Sequence, residues 1–198
     1  MLGEVDTRNR RLKVTWFNIF MIYLSFLVAN SFLLYFSTMN IEDFLNSAIY
    51  ENFENNTILN FFILTLISFL APTVTIFIKF LFLIVLVYIF NLSKVFDKKS
   101  IIWIATLSYI PSLIGSIINY FANWALGNRA FGYTSLYSYI QPSNSILSYL
   151  FIRINPFEIA GILLMGVLFT RFSGGNAQDT VIIISIWYIA DFLLTILL

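Results

Sequence analysis

Residues 73–92 read TVTIFIKFLFLIVLVYIFNL, and Lys79 is the one charged side chain among them. Twenty such residues in a helix are long enough to cross the hydrocarbon core of a bilayer, which is roughly 30 Å thick. Outward from this stretch, the apolar run extends back to residue 58. Pro72 interrupts the helical hydrogen-bond ladder within the run. Two interpretations remain open: one long, tilted helix over 58–92 that is kinked at Pro72, or a separate segment 58–71 that leads into a crossing at 73–92.

Four further apolar stretches flank this run and are of the length that spans a membrane. They cover residues 16–36, 101–121, 156–172 and 180–198. The whole chain is 60% hydrophobic and 11% charged, whereas an ordinary soluble domain is about 25% charged. These features predict an all-α polytopic membrane protein with five transmembrane helices, which form a single membrane domain over residues 1–198.

Composition also excludes several classes of function. The chain contains no Cys and no His, which excludes thiol catalysis and most zinc, haem and iron–sulfur sites. The sequence has no phosphate-binding loop, no nucleophile elbow and no pair of adjacent intramembrane acids. We therefore predict that the protein is not an enzyme and binds no cofactor or metal. Its apolar surface fits a lipid bilayer and not nucleic acid.

Lysine and arginine residues collect on one side of the predicted crossings. Eight of them precede the first crossing or lie in the 93–100 and 171–179 loops, whereas the loops of the other side hold only Arg129 and Arg153. Because cytoplasmic loops carry the excess of basic residues, we expect a cytoplasmic N-terminus and an external C-terminus. The composition, rich in Phe, Ile and Asn, is typical of an AT-rich prokaryotic genome and predicts a prokaryotic plasma-membrane protein.

Two loop segments on the predicted external side have helical features. Over residues 40–54, apolar side chains recur at helical spacing, with four acidic residues on the other faces. This pattern predicts an amphipathic helix that packs onto the bundle at the outer interface. In the second external loop, the short apolar run 146–152 predicts a short interfacial or re-entrant helix.

Ionisable residues inside membrane segments are costly, so they are the first candidates for function. Three occur here: Lys79, Glu158 and Asp191. Glu158 also fits a helix start, in which Asn155 is the N-cap, Pro156 follows, and the acid bonds back to the cap amide. Helical rise places Lys79 and Asp191 at matching depths of about 10 Å from the outer side, which predicts an ion pair. The alternatives are a pair that only fixes helix register, or a lysine that extends outward to the interface.

Small and polar residues follow one face of the third crossing: Ser108, Ser112, Gly115, Ser116 and Asn119. Such a face is typical of close helix packing, within the bundle or against a partner. The other interpretation is a conduction path. Pro111 in the same segment predicts a kink in this helix.

The order of these elements resembles the Yip family, the Ypt/Rab-interacting membrane proteins, and in particular its bacterial members. The similarity includes a basic turn at residues 91–99, the Tyr109-Ile110-Pro111 element, and the segment INPFEIAGILLMG at residues 154–166. That segment is similar to the family pattern D-x-F-x-x-W-x-x-x-L-x-x-x-G, with Asn155 where an Asp is frequent. The resemblance implies a protein that binds other proteins. Eukaryotic members look like partners of Rab-type GTPases, and some bacterial members are accessory subunits of ABC exporters or act in resistance to antimicrobial peptides.

Two functions are consistent with these features. The first is a non-enzymatic accessory protein that binds another membrane protein, such as an ABC transporter, or a second copy of itself. The second is a small transporter or channel that uses the intramembrane charges Lys79 and Asp191.

Overall fold

The computed structural model describes residues 15–39, 57–127 and 132–197, and all regular structure within these ranges is helical. The described helices are α1 (Trp16–Met39), α2 (Thr57–Ile89), α3 (Lys98–Leu107), α4 (Ile110–Leu126), α5 (Ser145–Arg153), α6 (Pro156–Ser173) and α7 (Ala177–Leu197). A 3-10 turn at Leu136–Ser138 precedes α5. α5 occupies the place of the predicted short helix, whereas the predicted amphipathic helix 40–54 lies outside the described residues.

Four segments in the described part of the chain are long and apolar enough to cross a membrane. They are Trp16–Leu33, Phe69–Ile89, Lys98–Leu126 and Pro156–Ser173. The chain is therefore an all-α polytopic membrane protein. The fifth predicted crossing falls within α7, whose side chains are described as far as Leu193, so this crossing stays a prediction.

α2 continues through Pro72 as one helix, which selects the first of the two interpretations of the long apolar run. Thr73 and Thr75 donate hydroxyl hydrogen bonds to carbonyls four residues earlier, at 2.5 and 2.9 Å. Serine and threonine side chains are one means by which transmembrane helices tolerate proline. Lys79 lies in the C-terminal half of α2, ten residues before the helix ends at Ile89.

The third predicted crossing is interrupted for two residues just before Pro111, where a kink was expected. α3 ends at Leu107 and α4 begins at Ile110, with Ser108 and Tyr109 between them. A proline has no N–H for the preceding turn and is tolerated in the first turn of a helix. Pro111 takes that place in α4, so the chain starts a new helix. We refer to Ser108–Tyr109 as the helix break.

The core lies where α2, α3 and α6 meet. Its almost completely buried side chains are Leu83, Leu86, Ile104, Met165 and Phe169. Phe96, in the turn before α3, stacks on Phe169 with 4.6 Å between the ring centroids. α1 packs against α2, α3 and α4, and α7 packs against α6. This arrangement brings the middle of α2 and the first half of α6 to the helix break.

Candidate functional site

Lys79 is the most deeply buried charged side chain of the described residues, with 4% of its surface exposed. Its Nζ donates a hydrogen bond to the Ser108 carbonyl oxygen at 2.9 Å. A helix end leaves carbonyls without intrahelical partners, and such groups are costly within lipid. The ammonium group of α2 therefore stabilises the helix break by binding a carbonyl of its backbone.

The helix break is also held by α1. Asn30 Nδ2 donates to the Tyr109 hydroxyl at 3.1 Å, and the rings of Phe26 and Tyr109 are 5.4 Å apart between centroids. Ser108 Oγ donates to the Ala105 carbonyl at 2.7 Å. Both residues of the break are buried. The break is consequently a hydrogen-bonded part of the core and not a frayed helix end.

Gly161 brings the backbone of α6 against the same break. A Cβ atom added to Gly161 would lie 2.7 Å from the Ser108 carbonyl oxygen and 3.5 Å from Lys79 Nζ. Real Cβ atoms essentially never come within 3.0 Å of such an atom. This approach of α6 thus requires a residue without a side chain.

The small and polar face of the third crossing divides into parts with different surroundings. A Cβ on Gly115 would lie 2.8 Å from the Phe157 side chain, and Ser112 Oγ is 3.7 Å from the Cβ position of Gly161, so this part faces α6. Ser116 is exposed, and its hydroxyl donates to the Ser112 carbonyl at 3.1 Å. The inward part of the face serves the packing of α4 on α6.

Asn119, at the far end of that face, binds the loop that follows α4. Its Oδ1 accepts a hydrogen bond from the Thr134 N–H at 3.0 Å, and its Nδ2 donates to Thr134 Oγ1 at 2.8 Å. The same hydroxyl accepts a bond from Asn155 Nδ2 at 3.0 Å. Thr134 therefore fastens the loop to α4 and to the start of α6.

Arg153, the last residue of α5, joins the two acidic candidates. Its Nη1 lies 3.7 Å from Glu158 Oε2, and its Nη2 lies 3.4 Å from Asp191 Oδ1. Two predictions are therefore wrong. Among the described residues, Lys79 forms no ion pair with Asp191, and the Asn155 N–H donates to the Arg153 carbonyl at 2.9 Å and not to the carboxylate of Glu158.

Lys79 does not pair with Asp191, because its ammonium group binds the Ser108 carbonyl. Asp191 lies near the C-terminal end of α7, where Arg153 is close to it. Arg153 thus joins two of the three candidate charges, Glu158 and Asp191, whereas Lys79 binds the helix break.

The N-cap of α6 follows the prediction. Asn155 Oδ1 accepts a hydrogen bond from the Phe157 N–H at 3.0 Å, and Pro156 is the first residue of the helix. Sequence reasoning missed the roles of Arg153 and Gly161. Arg153 was counted as a loop charge, and its position five residues before Glu158, across a helix start, was the available signal.

Lys79 binds the backbone, and a partly exposed cluster of one cation and two carboxylates is formed by Arg153, Glu158 and Asp191. It offers electrostatic stabilisation of the bundle, and no group of three metal-ligating side chains occurs in the part of the chain described. The fold and the site define a polytopic helical membrane protein with a broken helix, a buried lysine and a partly exposed charge cluster. Comparisons with protein families, with curated proteins and with solved structures find no match to this chain.

Proposed function

We propose that this chain is a non-enzymatic accessory protein that binds another integral membrane protein, such as an ABC exporter. One observation supports this proposal: each candidate charge has a partner within the protein, Lys79 a buried backbone carbonyl, and Glu158 and Asp191 the partly exposed Arg153. A transported solute would have to displace these contacts. A partner protein needs only the lipid-facing surface of the helices.

The proposal includes a prokaryotic plasma-membrane location, a cytoplasmic N-terminus and membership of the Yip family. Its support is the asymmetry of basic residues across the crossings and the motif at residues 154–166. Reporter fusions after Lys99 and at Leu198 test the orientation. We expect a cytoplasmic signal from the first fusion and an external signal from the second, and two signals on one side would contradict five crossings.

Photocrosslinking in intact cells tests the binding of a partner. A photoreactive residue replaces exposed Ile118 on α4 or exposed Ile189 on α7, and buried Met165 on α6 is the matched control. We expect one face to give a discrete product with one polytopic membrane protein, which also copurifies at a fixed ratio in mild detergent. Deletion of this chain should then lower the activity of that partner.

The absence of any product from both exposed positions would refute the accessory function. A product that contains only two copies of this chain would instead show a homo-oligomer. The control at Met165 should remain free of products because its side chain is fully enclosed. A product there would show that the crosslinking reports unfolded protein.

Transport is the second candidate function, and the helix break beside Lys79 is the observation that favours it. Discontinuous transmembrane helices near the bilayer midplane form substrate and ion sites in many transporters. Lys79→Met and Glu158→Gln distinguish the two functions. If a variant folds normally and copurifies normally with its partner but loses activity in cells, transport is favoured. If activity is lost only where copurification is lost as well, the accessory function is favoured.

A further inference from the structure

A groove of about 380 Å³ lies between α1, α2 and α3 and opens on the lipid-facing surface. Its wall is formed mainly by apolar side chains, among them Trp16, Phe20, Ile76, Phe77, Phe80 and Ile102. The Trp16, Phe20 and Phe77 side chains are each more than half exposed. The groove is therefore a concave apolar site that a bilayer component can enter from the side.

The hydroxyl groups in the groove are already bonded within the protein. Tyr23 OH and Thr73 Oγ1 lie 2.5 Å apart in a hydrogen bond, and Thr106 Oγ1 donates to the Ile102 carbonyl at 2.8 Å. Because these groups have their own partners, they do not select a polar occupant. The wall consequently fits a hydrocarbon chain.

One end of the groove is basic. Lys99 Nζ lies over the Trp16 ring, 5.7 Å from its centroid, and Trp16 lines the groove. Lys98 and Lys99 precede Ile102 by four and three residues, so they share its face of α3. Asp97 is also at this end, but its carboxylate caps α3. Lys99 therefore lies at the mouth of the groove, Lys98 precedes it in the first turn of α3, and the nearby carboxylate of Asp97 is engaged as a cap.

We propose that the groove and its mouth bind one anionic phospholipid, with an acyl chain between α1, α2 and α3 and its phosphate beside Lys98 and Lys99. Tryptophan at the lipid headgroup level and lysine near an anionic headgroup are both favourable. From Trp16 to Tyr23 the groove follows seven residues of α1, which is about 10 Å of helix. A free anion would gain nothing from this apolar wall, and a zwitterionic lipid, whose ammonium group offsets its phosphate, would gain less from the lysines. This binding site does not rest on the proposed accessory function.

The test uses the full chain in mild detergent and phosphatidylglycerol with a photoreactive group in its acyl chain. Labelled phosphatidylcholine is the neutral comparison, and inorganic phosphate is the free-anion competitor. We expect labelled peptides from residues 16–23 and 73–80, a preference for phosphatidylglycerol, and no displacement by phosphate. Each lysine near an anionic lipid contributes about fivefold in affinity, so Lys98→Gln with Lys99→Gln should reduce the preference by on the order of 20-fold.

Lys94→Gln with Arg171→Gln is the matched control. These exposed cations lie two residues from the stacked Phe96 and Phe169, at the same end of the bundle but outside the groove lining. The control should leave the lipid preference unchanged. If the double variant of the mouth does not fold, each single lysine variant should still lose about fivefold.

Three results would overturn the proposal. The first is label spread evenly over the lipid-facing sides of α6 and α7. The second is a loss of phosphatidylglycerol preference in the control variant as large as that in the Lys98 and Lys99 variant, which would show that any cation at this end of the bundle has the same effect. The third is equal labelling of the groove by phosphatidylcholine, which would show a neutral lipid site.

Discussion

Replacing Gly161 by alanine tests the contact between α6 and the helix break. The added Cβ would lie 2.7 Å from the Ser108 carbonyl oxygen, which belongs to the backbone and has no rotamer by which to move away. α6 or the break must therefore shift. The same shift would lengthen the 2.9 Å hydrogen bond from Lys79 Nζ to that oxygen.

The magnitude follows from these contacts. Overpacking of a well-packed core costs about 1–3 kcal/mol, and a hydrogen bond to a charged group contributes about 1.5–3 kcal/mol. Alanine in a helix interior regains about 1 kcal/mol relative to glycine. We expect Gly161→Ala to lower the free energy of unfolding by about 2–4 kcal/mol.

Gly166→Ala on the same helix is the matched control. Its added Cβ would meet Ile184 Cγ1 at 3.0 Å, and this side-chain atom can move. Because the gain in helix propensity is the same, the difference between the variants isolates the contact of Gly161. Thermal unfolding in detergent, followed by the fluorescence of the four tryptophans, measures both variants. Equal melting temperatures for Gly161→Ala and Gly166→Ala would refute the close approach.

Three further predictions concern the charge cluster and the helix ends. Asn155→Ala removes the N-cap of α6 and a bond to the loop, so it should cost about 2 kcal/mol in thermal unfolding, and Asn155→Asp, which keeps the cap, should recover about half. A double-mutant cycle of Lys79→Met and Asp191→Leu should give no coupling energy, because the lysine binds a carbonyl; coupling above about 0.5 kcal/mol would contradict this. Hydrogen bonds from the Ser100 side chain and backbone N–H hold the pKa of Asp97 below its usual range. The stabilisation by the ionised Asp97 carboxylate is complete above about pH 4 and is lost as the pH falls through the lowered pKa. On acidification, the melting temperature of Asp97→Asn should therefore fall less than that of the unchanged protein.

Hydropathy was sufficient to predict that this is a membrane protein and where most of its helices lie. Apolar runs of membrane-spanning length are a local property, and the described helices α1, α2 and α6 begin within one residue of the runs predicted for them. The start of α6 could also be predicted from the sequence, because an Asn N-cap followed by proline acts within one turn. The local effect of Pro111 was recognised as a kink, but whether the helix bends or stops depends on groups from other helices.

The partners of the charged residues are determined by the packing of the helices and could not be predicted from the sequence. Lys79 binds the helix break because α2 packs against α3, and Asp191 binds Arg153 because α5 ends beside α7. A helix that is apolar on every face carries no sequence signal for the side that meets its neighbours. Which helices touch, and at which depth, depends on the combined fit of segments far apart in the chain. For that reason the membrane class could be predicted from the sequence, whereas the charge cluster could be identified only from the packed helices.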